Sequence, residues 1–80
     1  MNGSTILAHI EALVAEEHSL LAKAEAEALD DADRSRFTAV QIELDRYYDL
    51  LRQRRARAEF GEDPDAAKLR PANVVEKYLQ

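Results

Sequence analysis

Residues 37–61 read FTAVQIELDRYYDLLRQRRARAEFG, and their apolar spacing decides the fold class. Phe37, Val40, Leu44, Tyr47, Leu51 and Ala58 recur at alternating three- and four-residue steps, with Tyr48 beside them. That spacing lays one coiled-coil-like stripe along an α-helix. Gly61 follows where a left-handed C-terminal cap is wanted. The stretch therefore predicts a helix from about Arg36 to Phe60, with Asp33 or Ser35 as its N-cap.

Upstream, Ile6, Ile10, Leu13, Val14, Leu20, Leu21, Ala24 and Ala28 project onto one stripe at about 100° per residue. This predicts a first helix from about Ser4 to Ala28, capped by Ser4 or Thr5. The DDADRS segment at 30–35 separates the two patterns. Two amphipathic helices on a short linker form an antiparallel hairpin, so residues 1–61 are read as an all-α hairpin. Residues 62–80 read as a C-terminal tail with short helical turns. Asp63 before Pro64 is an N-cap and N1 pair, Pro71 stops anything begun there, and NVVEKYLQ at 73–80 is spaced for a short terminal helix. A helix so short forms only when it docks, either back on the hairpin or on a partner.

Composition narrows the function classes. Eighty residues without cysteine exclude disulfides and thiolate zinc sites, and so small a core usually needs another staple. Self-association is the expected one, with two hairpins forming a dimeric four-helix bundle that covers Leu7 and Leu50. The apolar run ILAHIEALVA is broken by His9 and Glu11 and lacks a basic leader, so neither a signal peptide nor a membrane span is expected. A cytoplasmic protein fits. The net charge of −5 argues against a dedicated DNA binder.

Four arginines, Arg52, Arg54, Arg55 and Arg57, crowd the end of the second helix. Taking Arg52 as zero, Arg54 projects near 200°, Arg55 near 300° and Arg57 near 140°, from the ~100° step. They share no face, as a phosphate-tracking stripe would. The first helix carries Glu11, Glu16, Glu17, Glu25 and Glu27 against Lys23. An acidic helix on a basic one is thus the expected use of these charges. Glu17 falls within the apolar stripe, where a carboxylate needs donors. With the loop at 29–35, antiparallel pairing would bring it opposite Tyr47 and Tyr48 as a buried polar cluster. The alternative puts Glu17 at the seam's edge, in reach of solvent.

Catalytic patterns are absent. His9 and His18 lie nine residues apart, on nearly opposite sides of one helix, and cannot share a metal. Neither has a glutamate three positions before it, as di-iron bundles require. With Gly3 and Gly61 alone there is no phosphate-cradling loop. No enzyme, metal or cofactor is expected.

Three stretches, ALVAEEHSL at 12–20, ELDRYYDLLRQRRARAEFGEDPD at 43–65 and RPANVVEKYLQ at 70–80, together resemble a small actinobacterial family, domain-of-unknown-function family 2630. The resemblance implies a small cytosolic helical protein and supplies no activity or ligand. The functional expectation is a non-catalytic protein–protein interaction module. Its candidate surfaces are the arginine end and the tail residues Val74, Val75, Tyr78 and Leu79. The alternative is a nucleic-acid-associated accessory protein using the same arginines.

Overall fold

Capping side chains set where both long helices begin. The computed structural model describes residues 1–79, with side chains over residues 1–76. It contains helix α1 (Gly3–Ala26), helix α2 (Asp31–Glu59), a 3-10 turn (Pro64–Ala66) and helix α3 (Ala72–Leu79). This is the all-α antiparallel hairpin with a short C-terminal helix. The Asn2 side chain, rather than Ser4 or Thr5, caps α1 by accepting from the Thr5 amide at 2.8 Å.

Asp30, rather than Asp33 or Ser35, caps α2, accepting from the Asp33 amide at 2.8 Å. Aspartate is as good a cap as serine, and the earlier start puts Asp31 and Asp33 in the first turn, where the helix dipole favours them. The linker shrinks to residues 27–30, tied by Arg34 Nη1 donating to the Leu29 carbonyl at 2.7 Å. The cross-helix contacts Glu16–Arg36, Glu17–Gln41, Lys23–Asp33 and His9–Tyr47 consequently straddle a midpoint near residue 28.

The end of α2 follows the expectation. Gly61 takes φ +73°, and the Gly61 and Glu62 amides donate to the Ala58 and Arg57 carbonyls at 3.2 and 2.8 Å. This paired closure satisfies carbonyls the helix cannot. Asp63 then caps the 3-10 turn by accepting from the Asp65 amide at 3.0 Å.

Helix α2 is central, with α1 packed along one side and the 3-10 turn and α3 along another. Ile6, Tyr47, Leu50 and Ala67 form one buried cluster, flanked by Ile10, Leu13, Leu51 and Leu69. Leu50 is 1 % exposed, which corrects its assignment to an uncovered face. Ala67, from the segment after the hairpin, joins its cluster. One layer of helices makes a plate of 49 × 26 × 15 Å with a radius of gyration of 14.9 Å, against roughly 12 Å for a compact globule of this length.

Candidate interaction surfaces

The four arginines divide by task. Arg54 Nη1 donates to Asp65 Oδ1 at 2.7 Å and to the Met1 carbonyl at 2.9 Å, and Arg57 pairs with Glu62 at 3.3 Å. These two close the end of the hairpin on the turn that follows it. Arg52 and Arg55 are exposed and make no salt bridge with any described residue. The expected match of an acidic α1 to a basic α2 holds for Glu16–Arg36 alone. Lys23–Asp33, at 2.6 Å, has the opposite polarity, and the arginine end turns to the C-terminal segment instead.

That segment is held by a polar clasp absent from the sequence expectation. Asp49 is 2 % exposed. Arg70 grips it with both ends of its fork, Nε donating to Oδ2 at 2.9 Å and Nη2 to Oδ1. Gln53 Nε2 donates to Asp49 Oδ2 and to the Lys68 carbonyl, both at 2.9 Å. Arg46 Nε donates to the Arg70 carbonyl at 2.9 Å. The hydrogen bond from Arg70 holds the Asp49 carboxyl below the usual carboxylate range, outweighing burial, which pushes it up. The signal in the sequence is the spacing of Arg46, Asp49, Gln53 and Arg57, a polar stripe on a different side of α2 from its apolar seam.

Beyond the clasp, Val75 is fully buried while Val74 is 36 % exposed. The docking that α3 requires is thus intramolecular, on α2. Tyr78 and Leu79, the other tail candidates, lie outside the residues whose side chains are described.

Glu17, Tyr47 and Tyr48 do not come together. Glu17 is half-buried at the seam's edge and accepts from Gln41 Nε2. Tyr47 is buried and stacks on His9, with centroids 5.1 Å apart and planes at 14°. Tyr48 is 41 % exposed. The early start of α2 is the reason, because it moves the residues opposite Glu17 about two turns toward the linker.

These contacts distinguish the two faces of the hairpin. His9, Glu16 and Lys23, spaced by seven, cross to Tyr47, Arg36 and Asp33 on one face. The Glu17–Gln41 hydrogen bond crosses on the other. Val14 and Leu21 flank Glu17 at i−3 and i+4, Leu7 continues their seven-residue row, and Tyr48 lies one heptad beyond Gln41. On this second face Leu7 is 54 % and Leu21 46 % exposed. A family model described as "Protein of unknown function (DUF2630)" matches residues 2–80. The chain belongs to the DUF2630 family. Similar to it are uncharacterised proteins of Mycobacterium bovis and of two Mycobacterium tuberculosis strains, each 45% identical over 76 residues, or 94% of this chain and 87% of theirs. No solved structure matches. The DUF2630 match takes in α1, α2, the clasp and α3, so hairpin and arm form one family unit. No helix among the described residues is long and apolar enough to cross a membrane.

Proposed function

We propose that this DUF2630 protein is a non-catalytic interaction module of the cytoplasm that docks through the Leu7, Leu21 and Tyr48 face of its hairpin. The four-helix pairing with a second copy, expected from the sequence, falls within that reading. The observation that carries it is the row of large apolar side chains on one face of a plate 15 Å thick. Large apolar side chains left exposed along one face of a small domain are candidates for cover by a partner. Comparing cross-linked species in cells between wild type and Leu7→Lys/Leu21→Lys tests it. Loss of a defined cross-linked band in the variant is expected; an identical pattern overturns the reading.

The nucleic-acid alternative draws on Arg52 and Arg55 alone, since Arg54 and Arg57 face Asp65 and Glu62. Two cations on a chain of net charge −5 fall short of the roughly 6–10 phosphate contacts of a salt-sensitive binder. No retardation of short RNA or DNA at about 50 mM salt is expected, and a clear shift abolished by Arg52→Glu/Arg55→Glu would restore that alternative.

A further inference from the structure

The face carrying Leu7, Val14, Leu21 and Tyr48 has a charge gradient along it. At the open end of the hairpin, Arg52 and Arg55 follow Tyr48 at i+4 and i+7, on the same side of α2, and both are exposed. At the linker end, Glu25 follows Leu21 at i+4 and Asp30 caps α2. Both are exposed, and the nearby cations Lys23 and Arg34 are already paired with Asp33 and Asp31. One end of the face is therefore basic and the other acidic, with aliphatic and aromatic side chains between.

The row is also symmetric in spacing. Leu7 and Leu21 lie seven residues either side of Val14. Turning a second hairpin end for end about Val14 sets Leu7 of each copy over Leu21 of the other. In the same operation Tyr48 comes level with Phe37, which is half-buried. Arg52 and Arg55 come level with residues 29–32, beside Glu25 and Asp30. A two-fold axis along the helices would instead stack the two acidic ends on each other.

The surface area agrees with a missing neighbour. The chain exposes 5470 Å², where a folded monomer of 9.1 kDa exposes about 4,900 Å². The excess of roughly 600 Å² compares with about 800 Å² per partner in an ordinary stable interface, and one 49 × 26 Å side of the plate is large enough to hold such an interface.

We propose that this face docks on the same face of a second copy, face to face and end for end, with Arg52 and Arg55 of each chain against Glu25 and Asp30 of the other. The interface is isologous, with Val14 at the axis. This rests on the reading of that face as the docking surface and adds its occupant and orientation. It also gives Arg52 and Arg55, which make no salt bridge with any described residue, a partner of opposite charge.

Single cysteines test the arrangement cleanly, because the chain has none of its own. In the full-length protein, Val14→Cys should oxidise to a disulfide-linked dimer, and a mixture of Leu7→Cys and Leu21→Cys should cross-link to each other. Leu7→Cys by itself should not, its two copies lying about 21 Å apart along the axis at 1.5 Å per residue. Light scattering should give twice the chain mass. Arg52→Glu/Arg55→Glu should raise the dimer dissociation constant by roughly tenfold or more, because the two-fold axis makes four exposed ion pairs per dimer. Mixing that variant with Glu25→Lys/Asp30→Asn, in which asparagine keeps the α2 cap, should restore mixed dimers.

Cross-linking of Leu7→Cys with Tyr48→Cys, in place of Leu21→Cys, would overturn the orientation while leaving an interaction module standing. A monomer at roughly 100 µM would overturn the second copy as occupant. A Leu7-dependent cross-link to a different protein would then leave the broader reading intact. Absence of any Leu7-dependent species would overturn both.

Discussion

Along α1, helix α2 presents Val40, Leu44 and Tyr47, all buried, and meets a neighbour whose ion pairs Glu16–Arg36 and Lys23–Asp33 lie at the seam's exposed edge. Along the C-terminal arm the same helix presents Arg46, Asp49 and Gln53, and grips Arg70 and two backbone carbonyls. The first contact is apolar and tolerant: a seam of similar side chains can slide by a turn, and the four-residue linker sets where it stops. The second is directional, because a bidentate carboxylate pair has one geometry. The long helix thus carries a partner held by area on one side and a partner held by address on the other.

The largest effect should come where the two meet. Leu50→Lys places a charge at a site 1 % exposed, inside the cluster that joins Ile6 to Ala67. It should cost about 4 kcal/mol or more and abolish the cooperative urea transition seen by circular dichroism, rather than merely dissociating a dimer.

Breaking the clasp should be next and more local. Arg70→Ala leaves Asp49 buried without its fork, at a cost of about 3 kcal/mol. Hydrogen exchange should quicken first in α3, with α1 amides following later. Replacing both partners, Asp49→Leu with Arg70→Met, should recover most of that loss. Uniform acceleration through α1 and α3 would erase the distinction between the two sides.

The clasp should also be the acid-sensitive side. The folded-state pKa of Asp49 is lowered, so its contribution is full above the unfolded value of about 3.9. It is lost as pH falls through the lowered folded value. Protection of α3 amides should therefore fall below about pH 4, and the doubly replaced Asp49→Leu/Arg70→Met chain should lack that component.

Gly61→Ala probes the junction between the two regions. No atom lies within 4 Å of the added Cβ, so the cost is that of a side chain at φ +73°, about 1 kcal/mol, read as a lowered urea midpoint. Smallest of all, Arg36→Ala should leave that midpoint unchanged within error, since its pair with Glu16 is solvent-exposed. A clear drop would mean the seam has an address of its own.

Sequence periodicity and local punctuation were enough for the two long helices, their antiparallel pairing, the glycine closure at Gly61, the Asp63–Pro64 turn and the short terminal helix. Each of these is decided within one or two turns of chain, where spacing and caps act directly. Of the candidate surfaces, the exposure of Leu7 and the dispersal of the four arginines were legible, because both follow from projection around a single helix. The start of α2 was not, since Asp30, Asp33 and Ser35 are near-equal caps and the choice among them depends on what the rest of the helix meets. That choice moved Glu17 away from Tyr47 and Tyr48. Nor was the Asp49–Arg70 clasp legible, because its partners are 21 residues apart and nothing local joins them. Tertiary structure decided which apolar residues are covered by the arm, as Leu50 is, and which stay open, as Leu7, Leu21 and Tyr48 do. The physical reason is that burial is settled by how separate elements pack together, whereas spacing and caps report on one element at a time.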